Sequence, residues 1–176
     1  SLDKAIAETQ TAYSINPQPL YKHLEAQIRY TKGEYQQAYD MFIQLTNSTL
    51  RNPELFYEAA QCKMQMKADD NEILQKLDSA VAICKKPNTP SDAVYFIARA
   101  TQLNKMGQYR KAMLDYNKYD TLRLGRVNAQ FFYTREQCAM KCRLYQQALD
   151  DINLALRLAP QEPLFYAEKA NVQLRV

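Results

Sequence analysis

The sequence has few of the residues from which enzyme active sites are usually built. Its 176 residues include one histidine, His23, and only three glycines, and they hold no glycine-rich phosphate loop and no nucleophile elbow. The paired acids Asp69-Asp70 and Asp150-Asp151 are predicted in a turn and on a helix surface, as solvated charge. General acid–base chemistry needs two carboxylates held across a pocket. We therefore expect a non-catalytic protein without a cofactor.

Long apolar runs and clustered charge are also missing. No stretch approaches the roughly 20 apolar residues that cross a bilayer, and the first residues lack the apolar run of a signal peptide. The net charge of +4 is spread along the chain, with Lys85-Lys86 as the one notable basic pair. Binding to a phosphate backbone would need a basic stripe. We expect no nucleic-acid partner and no membrane insertion within this segment.

The four cysteines do not form a recognisable metal or disulfide motif. There is no C-x-x-C pair, and a zinc site would need four ligands at familiar spacings. We predict no metal site and four free, buried thiols that pack as small apolar side chains: Cys62, Cys84, Cys138 and Cys142. Free thiols slightly favour a cytoplasmic location. A periplasmic or envelope-associated location stays open if a leader precedes Ser1.

What the chain has in abundance is helix-forming residues and one short, recurring pattern. Its three copies are Gly33-Glu-Tyr-Gln-Gln-Ala38, Gly107-Gln-Tyr-Arg-Lys-Ala112 and Arg143-Leu-Tyr-Gln-Gln-Ala148. Each has a tyrosine three residues before an alanine. A pattern that recurs at thirty-odd residues is typical of a stacked repeat array. No strand pattern and no flexible linker interrupt it.

Residues at helical spacing, most of them small or apolar, mark the second helix of each predicted unit. One residue opens a helix, a second lies four residues later and a third lies seven residues later, so that the three share one face. The sets are Ala5, Thr9 and Ala12; Ala38, Phe42 and Leu45; Ile73, Leu77 and Ala80; Ala112, Tyr116 and Tyr119; and Ala148, Ile152 and Ala155. Each unit therefore has one amphipathic helix with a small residue where another helix comes close.

Another helical segment precedes each of the last four of these helices, and a fifth such segment follows at the end. The segments are predicted at 19–32, 54–67, 92–106, 128–142 and 163–175, and most contain a central alanine: Ala26, Ala60, Ala100 or Ala170. Two or three residues join the two helices of a pair, which makes the helices antiparallel neighbours. Gly33 and Gly107 supply a positive φ there, and proline breaks separate the units. Ser91-Asp92 is predicted as the N-cap of the third of these segments.

These residues resemble the tetratricopeptide repeat, a pair of antiparallel helices of about 34 residues. The resemblance covers the whole chain and implies an all-α, right-handed α-solenoid. It predicts a single array: a leading second helix at 1–16, full units at about 19–52, 53–90, 91–127 and 128–162, and a trailing first helix at 163–176. The second unit departs most, because its turn at 67–70 lacks both Gly and Tyr. The tyrosines Tyr35, Tyr109 and Tyr145 are predicted to pack between units.

Both ends of the predicted array lie inside a unit. The chain opens on a second helix and closes on a first helix that carries Leu164, Val172, Leu174 and Val176. Terminal repeats normally present a polar outer face. We expect either a further helix in a longer chain or self-association through the C-terminal end.

The resemblance implies a protein-binding role, because the first helices of such arrays line a concave groove that receives a peptide or a helix. The matching positions, our hypothetical peptide-binding groove, are His23, Gln27, Tyr30, Tyr57, Gln61, Met64, Ile97, Thr101, Lys105, Tyr133, Gln137, Lys141, Asn171 and Arg175. Gln27, Gln61 and Gln137 recur as an amide ladder that can pair with a peptide backbone. A solvated polar face is the alternative at each position.

Known family members that read C-terminal carboxylates use a clamp of Lys, Asn and Arg. The matching places here hold His23 and Gln27 in the first full unit and Val94 and Ala98 in the third. The clamp is absent, so no heat-shock-chaperone tail is expected. The sequence thus predicts a scaffold or adaptor for an unidentified protein or peptide, with assembly through its open ends as the alternative.

Overall fold

Every regular element that the structure describes is a helix. The structure is a computed structural model that describes residues 1–124 and 126–176, and these hold ten α-helices, one 3-10 turn and no strand. The predicted all-α class is therefore confirmed. The chain forms two compact units, residues 1–87 and 88–176. The exact repeat boundaries, and the continuity of one array through both units, stay predictions.

In each unit, consecutive helices along the chain pack against each other. The first unit holds α1 (Leu2–Ile15), α2 (Pro19–Lys32), α3 (Tyr35–Leu45), α4 (Pro53–Gln65) and α5 (Asp70–Ile83). The second holds a 3-10 turn (Pro90–Asp92), α6 (Ala93–Lys105), α7 (Tyr109–Arg123), α8 (Ala129–Lys141), α9 (Tyr145–Leu158) and α10 (Pro163–Gln173).

The turn residues explain where the helices stop. Gly33 and Gly107 have φ values of +91° and +73° at the ends of α2 and α6. This left-handed conformation suits glycine because it has no Cβ. Lys67 and Arg143 adopt the same conformation, at +53° and +61°, in the two turns that lack glycine. The irregular turn of the second repeat therefore keeps the backbone geometry without the usual residue.

The start of α6 differs from the sequence prediction. Asp92 occupies the N-cap position of α6, as predicted, but Ser91 and Asp92 also belong to a 3-10 turn, and the Asp92 side chain makes no capping hydrogen bond to α6. The backbone N–H of Thr89 donates to the Asp92 carboxylate at 2.7 Å. Thr89 is therefore the residue that begins the helical segment. Its capping role was missed because a 3-10 turn gives no clear apolar period.

The predicted register of the second helices is confirmed by burial. Ala38, Ala112 and Ala148 are completely buried, and Ile73 is buried in the irregular repeat. The residues one turn later are buried as well: Thr9, Phe42, Leu77, Tyr116 and Ile152. Ala5, Ala12 and Tyr119 are only half-buried. The repeated small residue is thus buried in each second helix that carries the pattern.

The cysteines behave as predicted. All four are free and buried. Burial raises the pKa of both Cys62 and Cys138 to about 12, since a low-dielectric surrounding disfavours the thiolate. These side chains act as core residues.

Two arginine–aspartate pairs show that the helices of a pair are antiparallel. Arg99 on α6 bonds Asp115 on α7, and Arg135 on α8 bonds Asp151 on α9, both sixteen residues apart. The partners lie equally far from the turn at Gly107 or Arg143, as antiparallel helices require. Asp151 is 1% exposed, so its prediction as solvated surface charge is wrong. Only its neighbour Asp150 is exposed.

Candidate functional site

In the first unit, the candidate groove residue His23 is not open to solvent. It is buried, and its Nε2 lies 2.5 Å from the Glu58 carboxylate, on the next first helix of the unit. The His23 ring also meets Phe42 edge-on at 5.8 Å. The hydrogen bond to Glu58 is the main cause that raises the pKa of His23, against the opposing effect of burial. His23, predicted on the surface or in a groove, instead links α2 to α4.

Gln27 shares this arrangement. Its amide nitrogen donates to the second oxygen of Glu58 at 2.6 Å and lies 3.4 Å from His23. The first rung of the predicted amide ladder is therefore engaged within the unit. The sequence analysis did not single out Glu58, although it lies next to the candidate Tyr57.

The other candidates of the first unit are more accessible. Tyr30, Tyr57 and Gln61 are half-buried, and Met64 is 36% exposed. Tyr30 meets Tyr35 edge-on at 5.3 Å. Burial, with the nearby Tyr30 as a second cause, raises the pKa of Tyr57. Aromatic and amide side chains thus line this face as neutral groups.

In the second unit, α6 contributes little to a site. Ile97 is half-buried, while Thr101 and Lys105 are exposed. The Thr101 hydroxyl donates to the backbone carbonyl of Ile97 at 2.9 Å. This is the usual bond of a helical threonine, so the hydroxyl is partly occupied by its own helix.

Helix α8 carries the clearest tyrosine–glutamine pair. The Gln137 amide nitrogen donates to the Tyr133 hydroxyl at 2.8 Å, and the Tyr133 ring packs on Phe165 of α10 at 5.3 Å. Tyr133 is half-buried and Gln137 exposed.

Four of the predicted groove residues meet in one open pocket of about 590 Å³. Gln137 and Lys141 come from α8, while Asn171 and Arg175 come from α10 and the residues that follow it. All four are exposed. A pocket of this size, with convergent polar groups, has the character of a ligand site. It is the candidate functional site of the second unit.

The floor of this pocket holds a carboxylate that the sequence analysis missed. Glu136 lines the pocket but is only 1% exposed, and neither of its oxygens has a hydrogen-bond partner. Burial, with the charges of Glu168 and Asp151 as smaller causes, raises the pKa of Glu136 to about 7. The signal was present in the sequence. Glu136 precedes Ala148 by the same interval at which Ala26 precedes Ala38 and Ala100 precedes Ala112.

Two of the repeat tyrosines lie beside the pocket. Tyr109 and Tyr145 are half-buried and both line it, at the starts of α7 and α9. Their packing between units stays a prediction.

Two further findings concern the part of the chain that the structure describes. No group of three or more His, Cys, Asp or Glu residues is arranged to hold a metal ion there. No described helix combines the length and apolarity that a bilayer crossing requires.

Known proteins resemble this chain in structure only. No protein-family model matches it, and no curated protein does. The solved structure of YrrB, a TPR protein with an unusual peptide-binding site, has a TM-score of 0.71 at 19% identity, over 96% of this chain and 84% of YrrB. MamA matches with a TM-score of 0.71 at 16% identity, over 97% of this chain and 91% of MamA.

A third structure comes from Cytophaga hutchinsonii. It is the C-terminal part of a TPR repeat-containing protein, and it matches with a TM-score of 0.70 at 16% identity, over 99% of this chain and 66% of that one. At these identities the likeness concerns the fold. The chain has the fold of tetratricopeptide repeat proteins, as its sequence pattern predicted.

Proposed function

We propose that this chain is a non-catalytic interaction module that binds a peptide or protein segment along its first helices. The observation that carries the proposal is the pocket between α8 and α10, where four predicted groove residues converge. Their polar side chains are exposed, and the two tyrosines beside them offer stiff contact area at low entropic cost. The peptide-binding site of YrrB, a protein of the same fold, is consistent with such a role.

The first unit supports the same role in a different way. Tyr57, Gln61 and Met64 form an accessible aromatic, amide and thioether surface on α4. Behind it, His23, Gln27 and Glu58 bond to one another. Such bonding fixes the positions of α2 and α4, so that the surface is held in place before a ligand arrives, which lowers the entropic cost of binding.

Selection of phage-displayed peptides on the purified chain tests the proposal. The selected peptides are then synthesised with a fluorophore, and their affinity is measured by anisotropy. The test variant replaces Gln137, Lys141 and Asn171 with alanine. The matched control replaces Gln146 and Asp150, which form an exposed pair on α9. We expect a loss of about tenfold or more for the test variant and none for the control. Equal affinities would refute the assignment.

Self-association through the C-terminal end is the second candidate function. Leu174 is 85% exposed and Val176 is 69% exposed, and Leu164 and Tyr166 on α10 are also exposed. Exposed apolar side chains grouped in this way favour contact with a second copy. Light scattering over a range of concentrations tests this. A mass that doubles with concentration, and stays monomeric in Leu174→Glu, would support it, whereas a constant monomer would exclude it.

A further inference from the structure

The pocket between α8 and α10 carries opposite charges at its two ends. Glu136 and Glu168 lie near the middle of α8 and α10, while Lys141 is the last residue of α8 and Arg175 follows the end of α10. A rise of about 1.5 Å per residue separates the two groups by roughly one to two helical turns. The acidic end is the unusual one, because a carboxylate occupies a position at which three other repeats have alanine.

Glu136 lacks every partner that a buried carboxylate normally has. Its two oxygens are shielded from solvent and accept no hydrogen bond. The arginine on its own helix, Arg135, is held by Asp151 and Asp120. Buried charges in folded proteins are nearly always paired or neutralised. No residue in 1–124 or 126–176 bonds to the Glu136 carboxylate, so the missing partner is sought in a ligand.

The surroundings of Glu136 suit a cation. Glu168 on α10 is a second carboxylate in the same pocket, and its charge opposes that of Glu136. The rings of Tyr109 and Tyr145 complete the walls. Two carboxylates and two aromatic rings are the groups that bind a guanidinium or an ammonium ion, through charge-assisted hydrogen bonds and cation–π contact.

We propose that the pocket receives a basic side chain, arginine or lysine, of the bound segment, and that this side chain pairs with Glu136 and Glu168. This inference rests on the proposed peptide-binding function, and it specifies which kind of segment the pocket selects. The neighbouring Lys141 and Arg175 disfavour a second basic residue one to two turns further along the pocket. The preferred segment therefore has one isolated positive charge.

Binding of this kind depends on pH through the groups that face Glu136. These are Glu168 on α10 and Asp151 on α9, of which Asp151 is already paired with Arg135. Lys141 and Arg175 are the cationic side chains of the same pocket. Deprotonation of Glu136 as the pH rises from 6 to 8 creates the charge that the basic side chain needs, so affinity for a basic segment rises over this range.

Four synthetic octapeptide pools test the proposal. They share random flanks and differ at one fixed central residue: arginine, lysine, glutamate or norleucine. Fluorescence anisotropy measures each pool against the wild-type chain and the variants Glu136→Ala and Glu136→Gln. Alanine restores the residue of the other repeats, so the variant is expected to fold. Asp150→Asn, on the exposed face of α9, serves as the charge control.

We expect the arginine and lysine pools to bind about tenfold more tightly than the norleucine pool. Both Glu136 variants should lose this advantage and keep norleucine binding, while Asp150→Asn changes neither. If the norleucine or glutamate pool binds as tightly as the arginine pool, the proposed preference for a basic side chain is wrong. The proposed peptide-binding function is then still supported. Equal loss of all pools in Glu136→Ala also overturns the preference. If no pool binds, the proposed function fails together with it.

Discussion

Arg135 donates two hydrogen bonds to Asp151, through Nε at 2.9 Å and through a terminal nitrogen at 2.7 Å, and both side chains are buried. The same two-bond contact joins Arg99 to Asp115 in the preceding repeat, at 2.7 and 2.8 Å. A planar guanidinium matches a carboxylate in this geometry. In each of the two full repeats of the second unit, an arginine–aspartate pair therefore joins the two helices, in addition to the packing of the buried alanine.

Removing one partner of this buried pair is expected to destabilise the second unit strongly. In Asp151→Asn, the carboxylate that holds Arg135 is lost, and a buried guanidinium keeps only Asp120 and Asn117. Breaking a buried pair costs about 3–5 kcal/mol. Urea denaturation followed by circular dichroism measures the change in the free energy of unfolding.

The neighbour Asp150 provides the matched control. It is exposed and accepts a hydrogen bond from the exposed Gln146 on its own helix. Asp150→Asn should change the free energy of unfolding by no more than about 0.5 kcal/mol. Equal effects of the two substitutions would show that the Arg135–Asp151 pair has no structural role.

Glu136 is expected to reduce stability at neutral and basic pH. Its pKa in the folded state is raised from 4.5 to about 7, so between these values the folded state binds more protons than the unfolded state. Stability therefore falls as the pH rises through this window. The contribution is on the order of 3 kcal/mol, because a tenfold change in proton affinity corresponds to about 1.4 kcal/mol. The free energies of Glu136→Ala and wild type should separate progressively from pH 5 to pH 8, in favour of alanine.

Glu168→Gln is the comparison for this pH series. Glu168 is half-buried, so its loss should only weaken the repulsion on Glu136. A difference between wild type and Glu136→Ala that stays constant from pH 5 to pH 8 would contradict the account of Glu136 as a titrating buried group.

His23 should stabilise the first unit at acidic pH. Its pKa is raised in the folded state, chiefly by the hydrogen bond to Glu58. The stabilisation is complete below the unfolded pKa of about 6.5 and is lost as the pH rises through the folded pKa. His23→Gln should therefore cost roughly 1–3 kcal/mol at pH 5.5 and less at pH 9. Thermal unfolding at both pH values measures it, and an equal cost at both would refute the charged pair.

The buried alanines of the second helices, Ala38, Ala112 and Ala148, give a further prediction. An exposed alanine of the same chain provides the control. Ala148, on α9, is completely buried. Ala148→Leu should overpack the core around α9 and lower the free energy of unfolding by about 1–3 kcal/mol. Ala170 is also an alanine inside a helix, on α10, but it is exposed. Ala170→Leu should leave the melting temperature almost unchanged, and equal shifts would show that the predicted register is wrong.

Much of the fold could be predicted because the repeats give several independent copies of each signal. Ala38, Ala112 and Ala148 mark one register in three places, and their burial follows from it. Helix starts at Pro19 and Pro163 follow from the fixed φ of proline. The left-handed turns at Gly33 and Gly107 follow from the lack of a Cβ.

The contacts between charged side chains could not be predicted in this way. His23, Glu58 and Asp151 look like surface residues in the sequence, because charge normally stays in water. Their burial depends on partners that lie many residues away, such as Arg135 for Asp151. Glu136 could have been noticed as the one break in the alanine series. Its lack of a partner is visible only in three dimensions.

The most direct test of peptide binding along the first helices is an NMR titration of the ¹⁵N-labelled chain with a peptide selected on it. We predict that the amide shifts concentrate on α8 and α10, around Gln137, Lys141 and Asn171. The exposed positions of α9, such as Gln146 and Asp150, should stay unchanged. Shifts that leave α8 and α10 unchanged and fall on the exposed positions of α9, such as Gln146 and Asp150, would contradict the account.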